Sequence, residues 1–257
     1  MDLEPLPKER ALNIEMLISL GALLFSWQVA SFFLPEYVLP GLQMILQEFL
    51  KMAQEGTLFW DTLLTLCRIW QGLIGGFLVG ALLGVAMGTV KKTENYLIPI
   101  VNFIMGIPGL SWTLIVILWF RGTETRIFAL MLAVSFPVFS HSILDAVKGI
   151  SKDLMEMTLA FRPTRTQVFR MLIVPSIIPH MLTAWKVTIG FAVRVVIVAE
   201  LVGASTGVGF RMLQQQSLLN MSGVLAWTMV LVISGLAMQL LITKMESRLL
   251  RWRPSTL

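Results

Sequence analysis

Apolar residues run through this chain in long blocks separated by short polar interruptions. An α-helix rises 1.5 Å per residue and needs about 20 apolar residues to cross a bilayer core. Six stretches reach that length: 13–34, 62–90, 96–120, 126–147, 177–200 and 222–243. Pro99, Pro108 and Gly109 weaken the third and Pro137 the fourth. Prolines are tolerated in a span where neighbouring helices restore the lost hydrogen bonds. Lys8 and Arg10 precede the first block, as in a secretion signal. That block is too long for a signal core and no A-x-A site follows it, so it reads as a retained span. The pattern predicts an all-α, polytopic membrane protein: a membrane domain over 13–245, a short segment 1–12 before it and a basic tail 246–257 after it.

Two segments between spans carry further pattern. In "LQMILQEFLKMAQ", Leu42, Ile45, Leu46, Phe49, Leu50 and Ala53 recur at helical spacing. This predicts a short amphipathic helix, lying on the outer surface or packed against the bundle. The segment 201–221, rich in Gly and Gln, reads as a second long outer loop.

Composition agrees with a membrane chain. Of 257 residues 56% are hydrophobic and 14% charged, with mean hydropathy +0.79, whereas soluble domains carry about a quarter charged residues. A single cysteine, Cys67, rules out an internal disulfide, and two histidines, His141 and His180, leave little for a metal centre. The net charge of +5 reads as basic loops on the cytoplasmic side rather than as nucleic-acid binding. With the N-terminus inside, 13 of the 20 Lys and Arg fall in inner segments, 4 in outer segments and 3 within spans. That bias supports six spans with both termini cytoplasmic; a five-span chain would put the basic tail outside.

Ionisable groups inside a bilayer are costly and mark function or a partner. Arg68 stands one to two turns from the outer end of the second span, where it either snorkels to the headgroups or serves a pathway. Lys186 and Arg194 lie on the fifth span eight residues apart, about two turns. They either face a central pathway and attract an anion, or pair with a carboxylate such as Glu200 or Asp145. His141 reads as a satisfied polar residue within the bundle. Along the second span Gly72, Gly76, Gly80, Gly84 and Gly88 recur at every fourth position. Such a stripe lets another helix approach at backbone distance, either in ordinary packing or beside a moving pathway. No G-x-x-x-x-G-K-[ST] phosphate loop and no H-E-x-x-H pair occurs, so energy for uphill work would come from another chain.

The segment 148–176 interrupts the apolar pattern on the cytoplasmic side. Ser151 is a plausible cap for a helix with Asp153 and Glu156 in its first turns, where the helix dipole favours negative charge. Met155, Thr158, Leu159 and Phe161 form an apolar side. Pro163 ends that helix by excluding the residue before it from the α region. Thr164 then caps a second short helix ahead of Pro175. A helix–turn–helix knob of this kind either docks in a groove of another protein or folds back on its own bundle.

At this point the chain resembles the membrane permeases of ABC importers. Their signature is E-A-A, three residues, Gly, nine residues, I, one residue, L-P. Here Glu156 stands at the glutamate, Met157 and Thr158 at the alanines, Arg162 at the glycine, Leu172 at the isoleucine, and Val174–Pro175 at the closing pair. The stretches "TLCRIWQGLIGGFLVGALLGVAMG", "GIPGLSWTLIVILWFRGTETRI" and "AWKVTIGFAVRVVIVAELVGASTGVGF" resemble the nitrate/sulfonate/taurine-type permeases in the same order. Departures include Ser111, Arg121, Arg162 and Arg194.

The resemblance implies a type I importer-like subunit of the bacterial inner membrane. Two copies would line a pathway for a small, anionic solute such as nitrate, a sulfonate or taurine. Two ATPase subunits would carry the ATP and Mg, and an extracytoplasmic binding protein would deliver the solute. This chain would hold no cofactor. Glu156, Met157, Thr158, Phe161, Arg162, Pro163 and Pro175 would couple to the ATPase; Arg68, Trp112, Lys186, Arg194 and Glu200 would belong to the pathway. The alternative is a secondary transporter or channel subunit uncoupled from ATP. A secondary transporter should show two related halves and discontinuous helices around ion ligands, and no such internal repeat is evident.

Overall fold

A computed structural model describes residues 14–250, so the N-terminal segment 1–12 with Lys8 and Arg10, and Arg251 and Arg253 of the tail, lie outside the described residues. Among the described residues the chain is all-helical. In order the helices are α1 (Ile14–Ser31), α2 (Leu42–Gln54), α3 (Thr57–Thr89), α4 (Lys91–Gly106), α5 (Gly109–Trp119), α6 (Thr123–Lys148), α7 (Lys152–Ala160), α8 (Arg165–Val168), α9 (Val174–Gly203), α10 (Val208–Ser217) and α11 (Met221–Leu249). A π-helical turn, Phe169–Ile173, joins α8 to α9.

The glycine stripe sets the centre of the fold. Gly72, Gly76, Gly80, Gly84 and Gly88 all face α6, against Met131, Ser135, Phe136 to Ser140, Ser140 to Ile143, and Val147 respectively. With no side chains between them, the two backbones approach closely over four turns. Contacts at both ends run in the same chain direction, so α3 and α6 are parallel. A chain that makes two parallel helices must return between them, and α4 with α5 supplies that return. Phe77, Phe139 and Trp185 cluster beside the seam at ring separations of 5.3–5.5 Å and bring α9 onto the α3–α6 pair.

Four helices are long and apolar enough to span: Thr57–Thr89, Thr123–Lys148, Thr166–Gly203 and Met221–Leu249. The α4–α5 pair adds a fifth if it counts as one broken span. The expected third span is therefore not one helix: it bends by 95°. The break falls at Ile107, extended at φ −77°, ψ 123° because Pro108 follows it. Pro99 and Pro137, by contrast, sit inside α4 and α6 without ending them. The first apolar block also changes: its described helix, Ile14–Ser31, has 18 residues, shorter than the 13–34 expected.

The fifth span is longer than expected. Helix continues from Thr166 to Gly203 through Pro175 and Pro179, so Pro175 does not separate the cytoplasmic helix from the span. The π turn explains this. The Val174 N–H donates five residues back to Phe169 O, and this local rewinding accommodates the N–H that Pro175 lacks. α8 and the membrane helix α9 are consequently one rod, and α7 is set off from it by the turn 161–164.

On the outer side, α2 buries Ile45 and Met52 against Trp227 and Val230 of α11, so it packs on the bundle. The 201–221 segment is not all loop: α10 occupies ten of its residues.

Candidate functional site

Charged side chains gather at the end of the bundle where α3 begins and α9 ends. Arg68 on α3, 3% exposed, donates through Nη1 to Glu200 Oε1 (2.7 Å) and to Thr206 O (2.8 Å), and through Nε to Glu124 Oε2 (3.0 Å). Glu200 on α9 is fully buried and also accepts from Thr65 Oγ1 (2.9 Å) and the Gly209 N–H (2.8 Å). Asp61 accepts from the Gly207 N–H (2.8 Å) and from Arg211 Nε (2.7 Å); Thr65 Oγ1 accepts from the Val208 N–H (2.9 Å). The first N–H groups of α10 thus find acceptors on α3 and α9, and two of those acceptors are carboxylates that suit the positive end of a helix. Gly207 is required here. Its φ is 106°, and a Cβ would lie 2.6 Å from Arg68 Nη1. Arg68 does not snorkel; it ties α3, α6, α9 and the 204–207 turn together.

The segment Gly203–Ala204–Ser205–Thr206–Gly207 has the G-x-S-x-G spacing of a nucleophile elbow. It joins two helices with no strand before it, so it lacks the strand-to-helix turn that exposes such a serine.

A second ion cluster marks the opposite end. Glu94 accepts from Lys148 Nζ (2.7 Å) and from Lys91 Nζ (3.1 Å). Along α3 and into α4, Arg68 and Lys91 are separated by 23 residues, about 35 Å of helix and close to a bilayer core with its boundaries. The two clusters frame the apolar bundle between them.

Between the clusters lie Lys186 and Arg194, and they differ. Lys186 pairs with Glu246 of α11, so neither Glu200 nor Asp145 is its partner. Arg194 is exposed and makes no ion pair among the described residues. It continues an exposed stripe of α9 formed by Thr183, Val187 and Phe191, at steps of four, four and three. Val187 and Phe191 also line a cleft of about 340 Å³ with Ile104, Trp112, Val134 and Val138. Trp112 donates from its indole Nε1 to Ile104 O (3.4 Å) across the α4–α5 break, a second donor to a carbonyl that also accepts the Ile107 N–H (3.2 Å). His141 is hydrogen-bonded to Asn102 Oδ1 (2.7 Å), joining α6 to α4.

The cytoplasmic knob is built as its sequence implies. Ser151 caps α7 by accepting the Leu154 N–H, and α7 buries none of its residues. Thr164 and Gln167 bond reciprocally, the Thr164 N–H to Gln167 Oε1 (2.8 Å) and the Gln167 N–H to Thr164 Oγ1 (3.3 Å). Met157 is 57% and Phe161 83% exposed. Between the helices Arg162 takes φ 48°, one of two non-glycine residues with positive φ among those described. Its N–H donates to Leu159 O (2.9 Å), closing the turn as a glycine would. An L-residue in this region costs about 1–2 kcal/mol relative to right-handed backbone.

Residues 76–251 match the family model described as binding-protein-dependent transport system inner membrane component. The chain belongs to this family.

The permease is 28% identical over 219 residues to the putative aliphatic sulfonates transport permease protein SsuC of Bacillus subtilis, covering 85% of this chain and 79% of that one. It is also 28% identical over 255 residues to the taurine transport system permease protein TauC of Escherichia coli, covering 96% and 92%. Among solved structures, a chain of the MetNI methionine ABC transporter in an inward-facing conformation superposes with TM-score 0.61 at 18% identity, over 75% of this chain and 97% of that one. A chain of an amino acid ABC transporter gives 0.64 at 19%, over 78% and 98%. The protein is thus a multi-pass inner-membrane permease with the ABC importer permease fold, and is not itself an ATPase.

Several polar residues of the permease were not singled out from the sequence: Asp61, Thr65, Glu124, Thr206, Arg211 and Glu246. A signal exists for part of this set. Asp61, Thr65, Arg68 and Gly72 follow one another at steps of four, three and four, one face of α3 that runs from polar to glycine. Glu124 and Glu246 carry no such signal, because each meets its cation from another helix.

Proposed function

We propose that this permease forms, with a second copy of itself, the pathway of an ATP-driven importer for a small organic anion of the sulfonate or taurine type. Two ATPase subunits supply ATP and Mg, and an extracytoplasmic binding protein delivers the solute to the outer end. In this reading α1, the α4–α5 pair and the four long helices make six spans with both termini in the cytoplasm. The two sulfonate- and taurine-named relatives support the substrate class. The observation that carries the coupling is the knob. The second helix of the knob, α8, continues without interruption into α9, and α7 is joined to it by the tight turn 161–164, so movement imposed on the knob is passed through α8 to the helix that bears Lys186, Arg194 and Glu200. Glu156 is exposed on α7 and available to a partner.

Glu156→Arg is expected to abolish co-purification of the ATP-hydrolysing subunit, or its solute-stimulated hydrolysis, while the permease itself still inserts and folds. Wild-type assembly and hydrolysis in that variant would contradict coupling through α7.

Arg194 supplies the charge for the solute. A guanidinium offers a planar fork of donors to the oxygens of a sulfonate, and among the described residues Arg194 has no carboxylate to neutralise it. The apolar cleft beside Val187 and Phe191 would take the carbon part of the solute. Arg194→Ala should lower uptake of radiolabelled alkyl sulfonate by at least tenfold in proteoliposomes containing the assembled complex. Arg194→Lys should retain more, since it keeps the charge and loses the fork. Unchanged uptake in the alanine variant would remove Arg194 from the pathway.

A further inference from the structure

We infer that Arg162 is a partner-selecting residue: its guanidinium pairs with a carboxylate of the ATPase subunit that receives the α7–α8 knob. The inference rests on the reading of that knob as the ATPase contact.

Backbone geometry comes first. At φ 48° the turn asks for glycine, and asparagine also tolerates the position, yet the chain places a long cation there. The turn needs only the main chain of residue 162, whose N–H closes on Leu159 O. Strain retained at one residue is to be read from the outlier toward a use. No use lies among the described residues. The side chain is exposed and makes no ion pair among the described residues. No Asp or Glu stands anywhere between Glu156 and Glu200, so the chain that leads from the knob into the membrane offers Arg162 no counter-charge.

The surroundings identify the occupant. Phe161, 83% exposed, and Met157, 57% exposed, adjoin Arg162 on the knob. When such apolar groups are covered by a partner they exclude water around a neighbouring charge, and a charge so placed requires a partner of opposite sign. A carboxylate matches the guanidinium fork in two parallel bonds. The alternative anion, a lipid phosphate, is disfavoured by position. Arg162 lies ten residues before Leu172, the first residue of this rod buried against the bundle, at the turn from which the rod sets out rather than where it enters the bundle.

The test uses the permease in nanodiscs and the ATP-hydrolysing subunit that co-purifies with it, with association measured at low and high salt. Arg162→Gly and Arg162→Asn are expected to keep the wild-type melting temperature, because they relieve the left-handed strain, while association weakens roughly 10- to 100-fold. Arg162→Lys should lose less, and Arg162→Glu most. A single Asp→Arg or Glu→Arg change on the ATPase should restore binding to Arg162→Glu. Three results overturn the pairing: Gly and Asn variants that bind like wild type, a loss seen only when the nanodisc contains anionic lipid, or failure of every acidic-residue reversal on the ATPase to rescue. If Glu156→Arg leaves ATPase association intact, the docking reading fails and the pairing with it. If Glu156→Arg abolishes association and the Arg162 variants do not weaken it, only the pairing fails.

Discussion

Arg68→Ala costs the permease about 3–5 kcal/mol of stability, the range for removing one partner from a buried ion pair. The size follows from what is left behind. Glu200 is fully buried and loses the one counter-charge it has among the described residues, keeping Thr65 Oγ1 and the Gly209 N–H as donors. Thr206 O loses its donor too, so the turn that starts α10 is released from α3. Arg68→Lys recovers only part of the loss, because one ammonium cannot bond Glu124, Glu200 and Thr206 in the fork that Arg68 makes. The double variant Arg68→Met, Glu200→Gln should cost less than the sum of its single variants, since it removes the uncompensated charge. Unfolding in mixed detergent micelles compares all five variants with wild type. A cost for Arg68→Ala within 1 kcal/mol would show that the network does not hold the outer end together.

Gly80→Ala and Gly84→Ala should each destabilise by about 1–3 kcal/mol, as overpacking does, although alanine is the better helix former by about 1 kcal/mol. At Gly80 a Cβ would lie 2.6 Å from Phe136 O and Phe139 Cβ, and at Gly84 2.7 Å from Ser140 O. These neighbours are main chain or the root of a side chain, so relief requires moving α6 as a body. Two controls separate this from a general effect of glycine replacement. Gly75→Ala meets the far edge of the Phe128 ring at 2.9 Å, which can rotate aside, and Gly21→Ala meets nothing within 4 Å. The first should be mild and the second stabilising. Equal effects at Gly21, Gly75 and Gly80 would rule out close packing of α3 on α6 as the cause.

Legibility in the sequence followed the range of the interaction. Four of the six expected spans were readable as single long helices because length and hydropathy are local sums, and the helix caps of the knob were readable because Ser151 and Thr164 act within three residues of themselves. Proline was readable only in part. Pro108 breaks its helix, while Pro99, Pro137, Pro175 and Pro179 do not; whether a missing N–H ends a helix depends on what else can absorb it, here a π turn before Pro175. Arg162 illustrates the same limit. Its place at the motif's glycine was visible, and its left-handed backbone was not.

Taken by itself, the sequence determined a multi-pass helical membrane chain, the family, and a helix–turn–helix knob between two long apolar helices. Each of these depends on composition, periodicity or spacing along one segment. Tertiary structure alone decided that Arg68 is locked to Glu200 and Glu124, that Lys186 answers to Glu246 while Arg194 stays unpaired among the described residues, and that α10 begins on acceptors borrowed from α3 and α9. Those pairings join residues 56 to 146 positions apart, apart from the Gly209–Glu200 bond at nine. A charge in a low-dielectric interior takes the partner that packing brings within reach, and the order of residues along the chain does not carry that information.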